Sequence, residues 1–159
     1  MLRRLALVVC AMTLLVLTAC SPTVALEAAK DANNPLCAEV TVRLPKSIAD
    51  QDRRWTDAQA TGAYGSDAGT SVIISCGVEV PGPTAELRCV TQEGVDWLVD
   101  DSENPKLRVT TYGRDPAVQV FIDTEKISSN QVLTSSGLLS GIKSIPATSA
   151  CIAADETAK

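Results

Sequence analysis

Apolar and polar positions alternate with a period of two through much of the second half of the chain, the pattern of strands buried on one face. In Ser71–Cys76, the residues Val72, Ile74 and Cys76 share a face. Leu87 to Val90 and Val95 to Val99 flank Thr91-Gln92-Glu93-Gly94, a hairpin loop whose glycine suits a left-handed backbone. Pairing across that loop places Leu87 and Cys89 on the side of Val95, Trp97 and Val99. Leu107, Val109 and Thr111 alternate with Arg108, Thr110 and Tyr112; after a turn at Gly113–Pro116, Val118, Val120 and Ile122 alternate with Gln119 and Phe121. Four to five antiparallel strands with one buried face are expected.

From Ser129 the period changes. Leu138, Ile142 and Ile145 recur at helical spacing with Leu133 and Leu139 beside them; Ser128 or Ser129 caps the start and Pro146 ends the run. Gly137 and Gly141 each cost such a helix about 1 kcal/mol relative to alanine, so packing on the sheet has to hold it. A shorter helical piece is compatible with the sequence before or after Leu44-Pro45. The stretch Asp50–Gly69 has little apolar patterning beyond Trp55 and Tyr64 and reads as a long loop. The fold class is α+β: an antiparallel sheet with a C-terminal helix packed on one face, closed by two disulfides.

The first twenty residues follow a different logic. Arg3 and Arg4 precede an apolar run from Leu5 to Leu17, broken only by Thr13. That is short of the roughly 20 residues a spanning helix needs, and matches the core of a signal peptide. Leu17-Thr18-Ala19-Cys20 then resembles the lipobox of bacterial lipoproteins. The resemblance implies cleavage before Cys20 and a thioether-linked diacylglycerol on its sulfur. The expected organisation is a signal peptide over 1–19, a tether over 20–34, one envelope domain over 35–153 and a tail over 154–159. Cleavage takes away Arg3 and Arg4, moving the formal net charge from −5 to −7. A surface of that charge repels anionic headgroups, which leaves membrane attachment to the acyl chains and the tether to hold the domain off the bilayer.

Composition narrows the chemistry. With 159 residues, no histidine and a pI near 4.7, the chain lacks every serine–histidine triad and the basic face that nucleic acid requires. Six cysteines are present; Cys10 leaves with the leader and Cys20 is lipidated, leaving Cys37, Cys76, Cys89 and Cys151. An even number in an oxidising compartment reads as two disulfides, and the absence of CxxC spacing disfavours zinc. Among three pairings, Cys76–Cys89 and Cys37–Cys151 are preferred. The first closes a short loop through Pro81-Gly82-Pro83, and the second ties the ends of the domain together.

Several side-chain groups invite a functional reading. Asp96, Asp100, Asp101 and Glu103 concentrate acid, but Trp97, Leu98 and Val99 interrupt them where a calcium loop needs oxygen ligands and a glycine. As a glycosidase pair, Asp96 and Asp100 would share a strand face ~13 Å apart, too far for either stereochemical mechanism. Ser140 and Lys143 satisfy an S-x-x-K pattern without its usual SDN or KTG partners. Trp97 alternates with core valines. Arg114, in a turn beside Tyr112, is placed to project a planar fork toward a carboxylate or phosphate, making Tyr112 and Arg114 the candidate recognition surface. No cofactor and no metal are called for.

Pro35-Leu36-Cys37-Ala38, Leu44-Pro45, Cys76-Gly77-Val78, Gly94-Val95-Asp96-Trp97 and Tyr112-Gly113-Arg114 occur in an order and spacing that resemble actinobacterial lipoproteins grouped as domain of unknown function 3515. The resemblance runs from Pro35 to about Ile145. Ala63-Tyr64-Gly65 departs from it, with tyrosine where a tryptophan is expected before the glycine. It implies an envelope protein on the outer face of the cytoplasmic membrane of a high-GC Gram-positive bacterium, and supplies no activity. With so few aromatics to furnish a glycan groove, a non-catalytic module binding an envelope protein or a cell-wall component is expected. The alternative is a small cell-wall hydrolase using carboxylates or Ser140 and Lys143.

Overall fold

The computed structural model describes residues 23–66 and 68–152; the expected signal peptide over 1–19, Cys20 and the expected tail over 154–159 lie outside them. Among the described residues a helix, α1 (Pro35–Arg43), precedes eight strands and two short helices. The strands are β1 (Ser47–Ile48), β2 (Gln51–Arg54), β3 (Thr61–Ser66), β4 (Gly69–Val78), β5 (Arg88–Gln92), β6 (Val95–Asp100), β7 (Lys106–Thr111) and β8 (Ala117–Asp123). The last helices are α2 (Ser129–Leu133) and α3 (Ser136–Lys143). All neighbours are antiparallel, in the order β1-β2-β3-β4-β8-β7-β6-β5.

The period-two runs form the centre of this sheet. Val72, Ile74 and Cys76 on β4, Val118, Val120 and Ile122 on β8, Val109 on β7 and Val95 and Trp97 on β6 point to one face and are fully buried. The helices cover that face: Cys37, Val40 and Leu44 of the α1 region and Leu138, Ile142 and Ile145 of the α3 region complete the same core. Burying such an aliphatic side chain contributes roughly 1.5–3 kcal/mol, so this layer dominates the stability. The opposite face carries half-buried Ile73, Gln119 and Phe121.

The sheet has eight strands rather than four to five because the supposed loop 50–69 holds β2 and β3. β3 reads Thr-Gly-Ala-Tyr-Gly-Ser, and its first five residues are all buried. It is built of small residues because neighbours approach it closely: a Cβ on Gly62 would fall 2.5 Å from Leu44 Cδ1 and one on Gly65 2.2 Å from the Gly69 carbonyl oxygen. Such a strand shows no alternation. Tyr64, the aromatic that replaces the expected tryptophan, is fully buried and donates its hydroxyl to the Pro45 carbonyl at 2.9 Å.

The hairpin turn is tighter than the four-residue loop expected. Glu93 and Gly94 alone make it, both left-handed at φ 51° and 73°, as a two-residue turn requires. Gln92 therefore faces Val95, Val90 faces Trp97 and Cys89 faces Leu98. Cys89 thus lies on the face opposite Trp97, not beside it. α1 starts at Pro35 with Asn34 as its cap, accepting from the Leu36 amide at 3.1 Å. The late helix is two pieces, because the polar run Thr134-Ser135-Ser136 breaks it; Thr134 Oγ1 turns back to the Asn130 carbonyl at 2.8 Å.

Both disulfides differ from the preferred pairing. They join Cys37 to Cys76 and Cys89 to Cys151. Strand order explains this: the chain between Cys76 and Cys89 is a crossover, and β4 and β5 are four strand spacings apart, ~19 Å. Cysteines bridge only when their Cα atoms lie within about 7 Å. Cys76 lies under α1, beside Cys37. Cys89, on the other face of an edge strand, is met by the C-terminal segment. Two disulfides are the chemistry of an oxidising, extracytoplasmic environment. Among the described residues no helix is long and apolar enough to cross a membrane.

Candidate functional site

The turn after β7 does not present its arginine to solvent. Arg114 is only 7% exposed. Its Nη1 donates to the Ile145 carbonyl and lies 3.5 Å from that of Ile142, at the C-terminal end of α3. A guanidinium there satisfies orphan carbonyls and complements the helix dipole. Burial lowers its pKa from the ordinary arginine value, and the Asp96 carboxylate partly offsets this. The C-terminal segment closes over the turn, with Thr148 N donating to the Gly113 carbonyl at 2.7 Å. Tyr112 is half-buried, its amide bonded to the Asp96 carbonyl at 2.8 Å. Arg114 is therefore a strut between sheet and helix, and the pair Tyr112 and Arg114 does not form a free recognition surface.

The acidic residues are separately engaged. Asp96 holds the C-terminal segment, accepting from the Cys151 amide at 2.9 Å and from Thr91 Oγ1 at 2.5 Å. Hydrogen bonds from the Ser102 hydroxyl and amide hold the Asp100 carboxyl below the usual range. Asp101 pairs with Arg88 at 3.2 Å and Glu103 with Arg108 at 3.9 Å. Ser140 Oγ donates to the Gly137 carbonyl at 3.1 Å within α3, and Lys143 is exposed. Trp97 is core, its indole N–H without a partner among the described residues.

A different surface gathers aromatic and cationic chemistry, at the β1–β2 edge of the sheet. The connection between those strands turns at Ala49, with φ 52°, and brings Lys46 beside Arg53, whose amide donates to the Lys46 carbonyl at 2.8 Å. Arg53 and Arg54 follow one another on β2 and so leave it on opposite sides. Arg53 reaches the end of α1, donating to the Leu44 and Thr41 carbonyls at 3.2 and 3.4 Å. Arg54 donates to Thr70 Oγ1 at 3.0 Å. Both are thus held by one or two hydrogen bonds with further donors to spare. Among the described residues neither they nor Lys46 forms an ion pair.

Trp55 comes next in the chain and is 78% exposed. With Lys46, Arg53, Arg54, Thr56 and Thr61 it lines an open cleft of about 500 Å³ that contains no carboxylate. Thr61 Oγ1 is fixed to the Ala58 carbonyl at 2.6 Å and to Thr56 Oγ1 at 2.9 Å, giving the cleft a rigid polar wall. Its backbone is also buttressed from outside. Residues 24–32, expected as a tether, lie along the domain: Val24 N donates to the Trp55 carbonyl at 2.8 Å, Leu26 N to Asp57 Oδ1 at 2.8 Å and Asp31 N to the Gly77 carbonyl at 3.0 Å. Three cations around an exposed indole suit an anionic partner that also offers apolar or planar contact. Sequence reasoning passed over this surface because Trp55 stood in an apparent loop. The adjacent run Arg53-Arg54-Trp55 was the available signal.

Among comparisons with known proteins, the model of a family described as "Protein of unknown function (DUF3515)" matches residues 4–147. No curated protein and no solved structure matches the chain.

Proposed function

The chain belongs to the DUF3515 family, and from its own geometry we propose that it is a non-catalytic interaction module, lipid-anchored through Cys20 to the outer face of the cytoplasmic membrane, whose contact surface is the cleft around Trp55. The observation that carries this is the exposure of Trp55 amid Lys46, Arg53 and Arg54 in a cleft without a carboxylate. Aromatic residues and arginine are enriched at binding surfaces, and here the indole stands with three cations around one cleft. The lipobox-like Leu17-Thr18-Ala19-Cys20 and the two disulfides support the extracytoplasmic, lipid-anchored part of the reading.

Photo-crosslinking in native envelopes tests it. A photoreactive residue at Thr56 is compared with one at exposed Glu86, which lies in the crossover between β4 and β5. The expected result is adduct formation at position 56 that falls when Lys46 and Arg54 are both changed to glutamate. Equal labelling at 56 and 86, or labelling indifferent to the charge reversal, overturns the assignment of this surface.

A further inference from the structure

We infer that the anionic partner of this cleft is the headgroup layer of the protein's own membrane, so that Trp55, Lys46, Arg53 and Arg54 dock the domain face-down on the bilayer. The inference rests on the lipid-anchored reading given above and deepens it. Its basis is where the chain enters the domain. Val24 makes a parallel bridge to Thr56, and its amide is bonded to the Trp55 carbonyl. Only three residues separate Cys20 from Val24, and the four steps between them span at most ~14 Å fully extended. A diacylglycerol on Cys20 lies in the bilayer by its chemistry, so the Trp55 backbone is leashed within a headgroup layer's thickness or so of the membrane surface. Residues 24–32, laid along the domain, therefore do not serve as a spacer.

The chemistry of the leashed surface matches what it would meet. Indoles settle at the headgroup level of bilayers, with the ring in the interface and the N–H in water. Lysine and arginine beside them are attracted to anionic lipid. Salt screens the distant acids beyond about 8 Å, and the charged groups that line the cleft itself are all cations. Asp57, which flanks it, already accepts the Leu26 amide, and Asp50 the side chain of Gln51. Asp52, on the same strand as Arg53 and Arg54, is exposed but does not line the cleft, so the attraction is local to the cleft and not to the whole end of the sheet.

The test uses the full chain purified from membranes and reconstituted in phosphatidylcholine vesicles with or without phosphatidylglycerol. Intact mass reports whether Cys20 carries a diacylglycerol. Brominated phospholipid then quenches tryptophan within reach of the interface, and Trp55→Phe gives the background from Trp97. We expect roughly a twofold loss of Trp55 emission in the phosphatidylglycerol vesicles, as for an interfacial ring, and recovery of that emission in a Lys46→Glu/Arg54→Glu variant. An acylated protein whose Trp55 stays unquenched in anionic vesicles overturns the inference and leaves the anchor standing. Trp55 that responds to soluble anionic wall polymer but not to vesicles overturns it while preserving the binding-module reading. A mass without acyl chains overturns the anchored reading and this inference with it.

Discussion

Gly137 and Gly141 lie one helical turn apart on α3, where intrinsic propensity alone says that alanine should stabilise each by about 1 kcal/mol. The structure reverses the sign. A Cβ on Gly141 would stand 2.9 Å from Val40 Cα and 3.0 Å from the Val40 carbonyl oxygen. One on Gly137 would stand 2.5 Å from the Arg43 carbonyl oxygen and 2.9 Å from Pro45 Cδ. These neighbours belong to α1 and the chain just after it, and three of the four atoms are backbone, which cannot rotate away. Relief requires α1 and α3 to separate by about 0.5–1 Å, and a gap of that size forfeits a quarter to a half of each dispersion contact it opens. The pair buries Cys37, Val40, Leu138 and Ile142 between helices and sheet, so the overpacking cost falls in the usual range of roughly 1–3 kcal/mol and exceeds the propensity gain. Gly141→Ala and Gly137→Ala are each expected to lower the unfolding free energy by about 1–2 kcal/mol, read from urea denaturation at unchanged slope. The double variant should lose less than the sum, because the first substitution already opens the gap. Ser140→Ala, exposed between them, serves as control and should move stability by less than about 0.5 kcal/mol. A Gly141→Ala protein as stable as the parent, or more so, would refute the close helix–helix contact.

Three further perturbations follow from the same packing. On the chain-entropy model, the Cys37–Cys76 and Cys89–Cys151 bonds, with separations of 39 and 62 residues, each contribute about 4 kcal/mol; paired Cys→Ala variants should show this in urea, and non-reduced peptide mapping should find these two linkages and not Cys76–Cys89. Tyr64 is pushed up to about 12 from an ordinary 10 chiefly by burial. Its neutral form is favoured in the fold, so the associated stability is whole below pH 10 and is lost between pH 10 and about 12, amounting to about 3 kcal/mol over that window. Tyr64→Phe should lose about 1 kcal/mol with its bond to Pro45 and flatten that alkaline step; an unchanged pH profile contradicts the assignment. Arg114→Met keeps the apolar stem but strips the donors from the Ile142 and Ile145 carbonyls, for an expected loss of about 2–3 kcal/mol, while crosslinking through position 56 stays intact.

The strands β4, β7 and β8, the apolar face Val95-Trp97-Val99 of β6 and the helical stripe Leu138-Ile142-Ile145 were legible because one face is dry and the other only half-buried. β3 was not, since a strand buried on both sides and squeezed between neighbours must be small rather than alternating. The disulfide pairing depends on strand order: proximity in sequence favoured Cys76–Cys89, whereas the crossover after β4 carries the chain to the far edge. Arg114 looked free because a turn residue projects outward by default. Only the return of the C-terminal segment and the position of the α3 terminus bury it. Trp55 carried the opposite signal, a large apolar residue in a polar stretch, and its meaning depends on β1 and β2 bringing Lys46 beside Arg53 and Arg54.

Hydrogen–deuterium exchange on the membrane-attached protein, compared with the same protein in detergent, addresses the central assignment most directly. The account expects added protection across residues 46–56 and none at 112–114, which the fold itself already shields. Protection confined to other surfaces, or no difference between membrane and detergent, would contradict docking of the Trp55 surface on the bilayer.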